Sequence, residues 1–181
     1  MLRNLFKTRP EKQLGRALYD TCLRASRQPV LYRDFGVPDT IEGRMELVML
    51  HVALAIIELK ASGAEEGEQL AQEVFDAMFD DFDAAMRELG VGDSGVGKKI
   101  RFMAEGFYGR ASAYSSALKG EGEESLATIL ARNVYASDAV DEEQTQLAAY
   151  VSASAARLSA QGYSGMQQSA GAEFEVAGGQ S

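Results

Sequence analysis

Phe79-Asp80-Asp81-Phe82-Asp83-Ala84-Ala85-Met86-Arg87-Glu88-Leu89-Gly90-Val91-Gly92-Asp93-Ser94-Gly95-Val96-Gly97-Lys98-Lys99 admits two incompatible readings. Gly92-x-x-x-x-Gly97-Lys98 matches the opening of a phosphate-binding loop, which would make the chain a nucleotide enzyme built on a β-sheet. That loop needs Ser or Thr after the lysine to hold magnesium, and the residue is Lys99. It also needs a buried strand leading into it. Instead Phe75, Phe79, Phe82, Met86 and Leu89 recur at helical spacing with no β-branched run. Leu89 followed by Gly90 is ordinary helix-ending punctuation. Ser94 is placed to cap the next helix, with Gly92 and Gly95 permitting the reversal. The spacing predicts two amphipathic helices joined by a turn, and no nucleotide site.

The same periodicity extends in both directions. Helices are predicted at about 11–28, 42–61, 66–89, 95–118, 124–135 and 140–160. The first carries Leu14, Leu18, Cys22 and Ala25 on one side. Residues 29–38 read as a loop, and Val30, Leu31, Tyr32 and Phe35 require it to pack on the body. Asp39, with Glu42 three positions on, predicts a capping-box-like start. The helix that follows is apolar on nearly every side, through Leu47, Leu50, Leu54 and Ile57 and through Met45, Met49, Val52, Ile56 and Leu59. Such a helix belongs in the middle of a fold. The fourth presents Val96, Ile100, Met103, Phe107, Ala111, Tyr114 and Leu118. Asp138 is placed to cap the last, with Leu147, Val151 and Leu158 inward. From Gly162 the composition turns to Gly, Ser, Gln and Ala, which predicts a flexible tail able to dock through Tyr163 or Phe174. The expected fold is all-α, a single bundle of about six helices with a central apolar helix and no β-sheet. Its parts are a basic segment and helix at 1–28, a helical domain at 29–160 and a tail at 161–181.

The 181 residues suffice for a substantial core. A single cysteine, Cys22, allows no internal disulfide and points to a reducing compartment. No run of eighteen apolar residues is present, so no membrane span is expected. The first nine residues lack the apolar stretch of a secretory signal. The net charge of −9 hides an asymmetry: residues 1–33 balance at +6 and the remainder at −15. An acidic body repels nucleic acid, which argues against DNA as a partner. The basic front, with Arg3, Phe6, Lys7 and Arg9, has the composition of a segment that lies on an anionic membrane or touches ribosomal RNA. A solvated terminus explains it equally well.

Chemistry-bearing constellations are scarce. His51 is the only histidine, so neither a zinc-binding histidine pair nor a di-iron Glu-x-x-His set can be built. Placed among apolar neighbours, it reads as a hydrogen-bonded core residue. Asp76, Asp80, Asp81 and Asp83 crowd one helix, where a solvated acidic face competes with a hard-cation site, and Asp83 with Arg87 forms an i, i+4 pair. Cys22 has no activating neighbour in sequence. Met45, Met49, Met78, Met86 and Met103 all fall on helices, where core packing competes with an adaptable apolar surface. Phe79, Phe102 and Tyr108 are the expected exposed aromatics. No catalytic residue, cofactor or metal ligand set is identified.

One resemblance is specific. Gly36-Val37-Pro38-Asp39-Thr40-Ile41-Glu42-Gly43-Arg44, followed by His51, resembles the opening signature of the ubiquinol–cytochrome c chaperone family, the cytochrome b–binding assembly factors of respiratory complex III in mitochondria and alphaproteobacteria. The likeness continues through Phe75-Asp76-x-Met78-Phe79-x-Asp81-x-Asp83, Met86 to Asp93, Val96-Gly97-Lys98-Lys99, Phe107-Tyr108-Gly109-Arg110, Tyr114, Ala117-Leu118 and Arg132-Asn133-Val134-Tyr135. It covers residues 31–136, in order and at similar spacing. The resemblance implies a non-enzymatic protein that binds newly made cytochrome b during haem insertion and complex assembly. Mitochondrial members act with a small partner protein near the ribosome exit. Matched positions are Asp39, Arg44, Asp81, Asp83, Arg87, Lys98, Tyr108 and Arg110. The client-binding set expected from the resemblance and from exposure is Phe79, Phe102, Tyr108, Arg110, Asp81, Asp83, Arg87 and Lys98. The absence of a presequence or anchor points to a bacterial member, cytoplasmic and peripheral at the inner face of the inner membrane. Two other classes stay open: a haem- or metal-handling helical protein using His51 or the Asp76–Asp83 face, and a membrane-surface adaptor without a cytochrome client.

Overall fold

Helix α3 (Ile41–Ala61) organises the molecule because it has no polar side. Leu47, Leu50, Val52, Ala53, Ala55 and Leu59 lie at every azimuth of the helix, and all are closed to solvent. The computed structural model describes residues 10–90 and 92–176. Among these, six further helices supply the enclosure that such a helix demands. They are α1 (Pro10–Ala25), α2 (Pro29–Arg33), α4 (Glu65–Glu88), α5 (Asp93–Lys119), α6 (Leu126–Val134) and α7 (Glu142–Ser169). Helices α1, α4, α5, α6 and α7 pack directly on α3, and neighbours pair α1 with α4, α4 with α5, α5 with α6, and α6 with α7. The described residues contain no strand. The fold is all-α.

The turn between α4 and α5 joins one helix end to the next helix start. Gly90 takes the left-handed φ of +80° that ends a helix. The Gly95 and Val96 amides donate back to the Gly92 carbonyl, at 2.8 and 3.0 Å. Those amides are spent on the first turn of α5 and cannot cradle phosphate. Gly92 takes the cap position and α5 begins at Asp93, so Ser94 lies inside the first turn instead of capping it.

Other boundaries differ from the sequence reading for local reasons. Residues 29–33 form the short helix α2 where a loop was expected, because Pro29 at its start presets the helical φ. Val30 and Leu31 are buried, as their apolarity requires. The cap of α3 is Thr40, not Asp39: the Thr40 hydroxyl accepts the Gly43 N–H at 3.1 Å, while the Asp39 carboxylate accepts from Arg44. The cap of α7 is Asp141 rather than Asp138, in a reciprocal capping box with Gln144. Helix α7 also runs past the expected end at 160. It kinks at Gly162 (φ +62°) and continues to Ser169. Residues 170–176 then lie along the body as an extended strap, with Ala172 buried and the Phe174 ring edge-on to His51 at 5.0 Å.

The segment that carries the resemblance is a mechanism for starting α3. Gly36 turns the chain with φ +63°, Val37 plugs the core, and the Pro38 carbonyl sits where a Cβ on Gly43 would be. Gly43→Ala is therefore expected to destabilise the fold by about 1–3 kcal/mol, read from chemical denaturation. Gly97→Ala is the contrasting case, since its Cβ would meet nothing. In the helical first turns of α5 it should stabilise by roughly 0.5–1 kcal/mol.

Candidate functional site

Between α1–α2, the start of α3, the end of α4 and the start of α5 lies an open groove of about 1440 Å³. Tyr19, Val48, Phe82 and Met86, all buried, are among the residues that line it. The lining also includes Leu23, Tyr32, Met45 and Met103, which are partly covered, and Ile41 and Leu89, which project into solvent. Leu89 closes the apolar stripe of α4 in sequence, yet as the residue after the last helical turn it is 65 % exposed. Of the methionines singled out in sequence, Met49 and Met78 belong to the core, whereas Met45, Met86 and Met103 line this groove. Unbranched thioethers repack around varied apolar shapes. The volume exceeds the roughly 300–1,000 Å³ of small-ligand pockets. Such a surface suits an apolar polypeptide segment.

Polar residues frame this apolar floor. Arg44 pairs with Asp39 at 2.5 Å and lies over the Tyr32 ring at 6.0 Å. Arg16 forks onto both oxygens of Asp81, at 2.7 and 3.2 Å, and lies 5.1 Å from the Tyr19 ring centre. Burial, followed by the nearby Asp81 carboxylate, pushes the Tyr19 phenol far above its ordinary value, so the groove wall stays neutral there. Lys99 reaches the mouth from α5. Asp39, Arg44 and Asp81 are thus brought together around one opening.

The remaining expected site residues scatter. Phe79 is buried rather than exposed, its ring 4.6 Å from Phe75 and 5.8 Å from Phe82. Phe102 and Tyr108 are exposed, at 76 % and 52 %, on α5 outside the groove, with Tyr108 stacked on Phe75. Arg87 binds Asp83 and Asp93, tying the end of α4 to the start of α5. Lys98 is exposed on the first turns of α5. Arg110 is held in a half-buried pair with Glu46. Gly36 and Pro38 serve the α3 start. Arg3, Phe6, Lys7 and Arg9 lie outside the described residues. Sequence reading missed Tyr19, Leu23, Ile41, Phe82, Leu89 and Lys99 as groove residues. Apolar Ile41 and Leu89 at helix ends, where polar residues are usual, were the available signal.

His51 is closed to solvent and both ring nitrogens are engaged. Nδ1 donates to the Leu47 carbonyl at 2.7 Å, and Nε2 accepts from the Tyr150 hydroxyl at 2.8 Å, a tautomer fixed by the carbonyl acceptor. Burial lowers its pKa from 6.5 to about 4. The folded protein therefore refuses a proton that the unfolded chain binds below pH 6.5. Stability present above that pH is lost as pH falls towards 4, by roughly 3 kcal/mol. Urea unfolding at pH 7 and pH 4 should show a flatter pH dependence in His51→Gln than in the parent. Cys22 is buried and its thiol pushed up to about 12, which makes it inert. Asp76 accepts from Gln72, and among the described residues no cluster of three His, Cys, Asp or Glu side chains is placed to hold a metal. No helix of the described residues is long and apolar enough to cross a membrane.

The family model described as ubiquinol-cytochrome C chaperone matches residues 33–169, from the last residue of α2 to the end of α7. The crystal structure of the Cbp3 homolog from Brucella abortus is similar throughout, with a TM-score of 0.81 and 31% identity over 94% of this chain and 93% of that one. No curated protein matches the chain.

Proposed function

This chain belongs to the ubiquinol-cytochrome C chaperone family, and from that premise we propose that it binds newly made cytochrome b in the methionine-lined groove. The family supports a chaperone role in the assembly of respiratory complex III. The observation that carries the finer reading is the groove itself: open, apolar-floored and larger than a metabolite needs. A membrane subunit awaiting its partners exposes apolar helices, and covering them removes apolar surface from water. The charged frame of Arg44, Asp39, Asp81 and Lys99 keeps the groove soluble and orients an incoming segment.

The protein acts by holding its client and turns over no substrate. The basic first nine residues would keep it at the inner face of the membrane where that client emerges, alone or beside a small assembly partner or the ribosome exit. Haem ligation through His51 is disfavoured, because both of its nitrogens are already bonded inside the core.

Capture of the tagged full chain from native membranes should bring down cytochrome b, and a strain lacking the protein should accumulate less of it. Normal cytochrome b levels in that strain, with no respiratory subunit captured, would sink the proposal. Hydrolysis of ATP or GTP that disappears in Lys98→Ala would equally overturn it.

A further inference from the structure

The C-terminal strap is held in a way that reads its main chain. The Ala172 N–H donates to Thr21 Oγ1 at 2.9 Å and the Glu175 N–H to Ser154 Oγ at 3.2 Å. The Gln161 amide brackets the strap, donating to the Gly171 carbonyl at 2.8 Å and accepting the Glu173 N–H at 3.0 Å. Gln28 donates to the Glu175 carbonyl at 3.4 Å. These four side chains come from α1, the α2 cap and α7, and each meets the strap's backbone rather than its side chains. Around this grip the strap alternates as an extended segment does. Ala172 is buried, Glu173 points outward, Phe174 lies on His51, and the Glu175 carboxylate accepts from Arg157 at 2.6 Å.

The strap's own attachment buries little apolar surface. Only Ala172 and Phe174 contribute apolar cover, and the Arg157–Glu175 pair is partly solvated. The strap leaves α7 through Ala170, which holds a left-handed φ of +49° without being glycine. A short segment with few buried contacts and a strained hinge opens at much less than the cost of global unfolding.

We propose that this seam is a binding site for an extended segment of a partner protein with the pattern small–x–aromatic–acidic, and that residues 170–176 are its resident, displaceable occupant. Backbone hydrogen bonds supply affinity, while the Ala172 and Phe174 positions and Arg157 supply specificity, as in other modes of extended-peptide recognition. The seam lies apart from the groove: none of Thr21, Gln28, His51, Ser154, Arg157 and Gln161 lines it. The inference is therefore independent of the cytochrome b reading.

The test uses the full chain and a fluorescent peptide of residues 170–176. In the parent, the tethered strap competes at an effective concentration in the millimolar range, so the peptide binds poorly. Phe174→Ala should bind it at least tenfold more tightly, and adding Ser154→Val should remove that gain. A peptide with Phe174→Ala should not bind. If Phe174→Ala fails to fold, Ala172→Pro, which removes the N–H that Thr21 accepts, releases the strap by another route. Equal binding to parent and strap variants, or binding of a scrambled peptide, would overturn the proposal. A parent dimer by light scattering that dissociates on Phe174→Ala would assign the seam to a second copy and overturn the partner assignment.

Discussion

Replacing Arg110 with alanine is expected to cost about 3–5 kcal/mol of folding stability, a fall in melting temperature of roughly 6–20 °C for a chain of this size. The guanidinium of Arg110 on α5 forks onto Glu46 of α3, Nε to Oε2 at 2.8 Å and Nη2 to Oε1 at 2.7 Å, and also donates to the Gly106 carbonyl. Glu46 is largely buried, and burial holds its carboxyl above the ordinary value even with Arg110 beside it. Removing the arginine strands that carboxylate. Its folded pKa then rises further, so the deficit is full near pH 7 and shrinks as pH falls and the carboxyl takes up a proton. Replacing both partners, Glu46→Leu with Arg110→Met, should recover most of the loss, because no charge then remains buried. Denaturation of the single and double variants at pH 7 and pH 4.5 checks all three statements. A loss in Arg110→Ala below about 1 kcal/mol would mean the pair behaves as an ordinary surface contact.

Capture of cytochrome b is expected to fall at least tenfold when Leu89 and Met103 are both changed to glutamate, while the melting temperature changes little. Leu89 is mostly exposed and Met103 only partly covered, so the fold keeps all of its fully buried core. A client would lose two apolar contacts, each worth about 1.5–3 kcal/mol when fully buried, against 1.4 kcal/mol for each tenfold in affinity. Phe102→Glu separates the groove from the rest of α5, since Phe102 is exposed but lies outside the lining. If Phe102→Glu alone removed capture and the groove pair did not, the contact surface would move to the outer face of α5.

What could be read from the chain and what could not divides along the range of the forces involved. The enclosure of α3 was legible because its apolarity on all sides has one physical solution. The inward stripes of α5 and α7 were legible for the same reason: Val96, Phe107, Tyr114, Leu147, Val151 and Leu158 are all buried. Helix starts were misplaced by one to three residues, since Asp39 and Thr40, or Asp138 and Asp141, are chemically interchangeable caps until the chain direction is fixed. The run beyond Gly162 has a composition without helical stripes, and it is helical because Met166 finds a buried place that only the tertiary fold creates. The groove was only half legible. Its methionines stand out in the sequence, but whether a methionine faces core or groove depends on how five helices splay. Phe79 shows the limit: its position on α4 is the same whichever neighbour covers it, and Phe75 and Phe82 do.

The central position of α3 has a consequence for the birth of the protein. His51 and Tyr150, bonded across the core, stand 99 residues apart. At about 5–20 residues per second of synthesis, the greasiest helix leaves the ribosome roughly 5–20 seconds before α7 exists to shelter it. During that interval the nascent guardian is as needy as any ward it will later protect, and slowed translation between the codons for α3 and α7 should raise its aggregation in the cell.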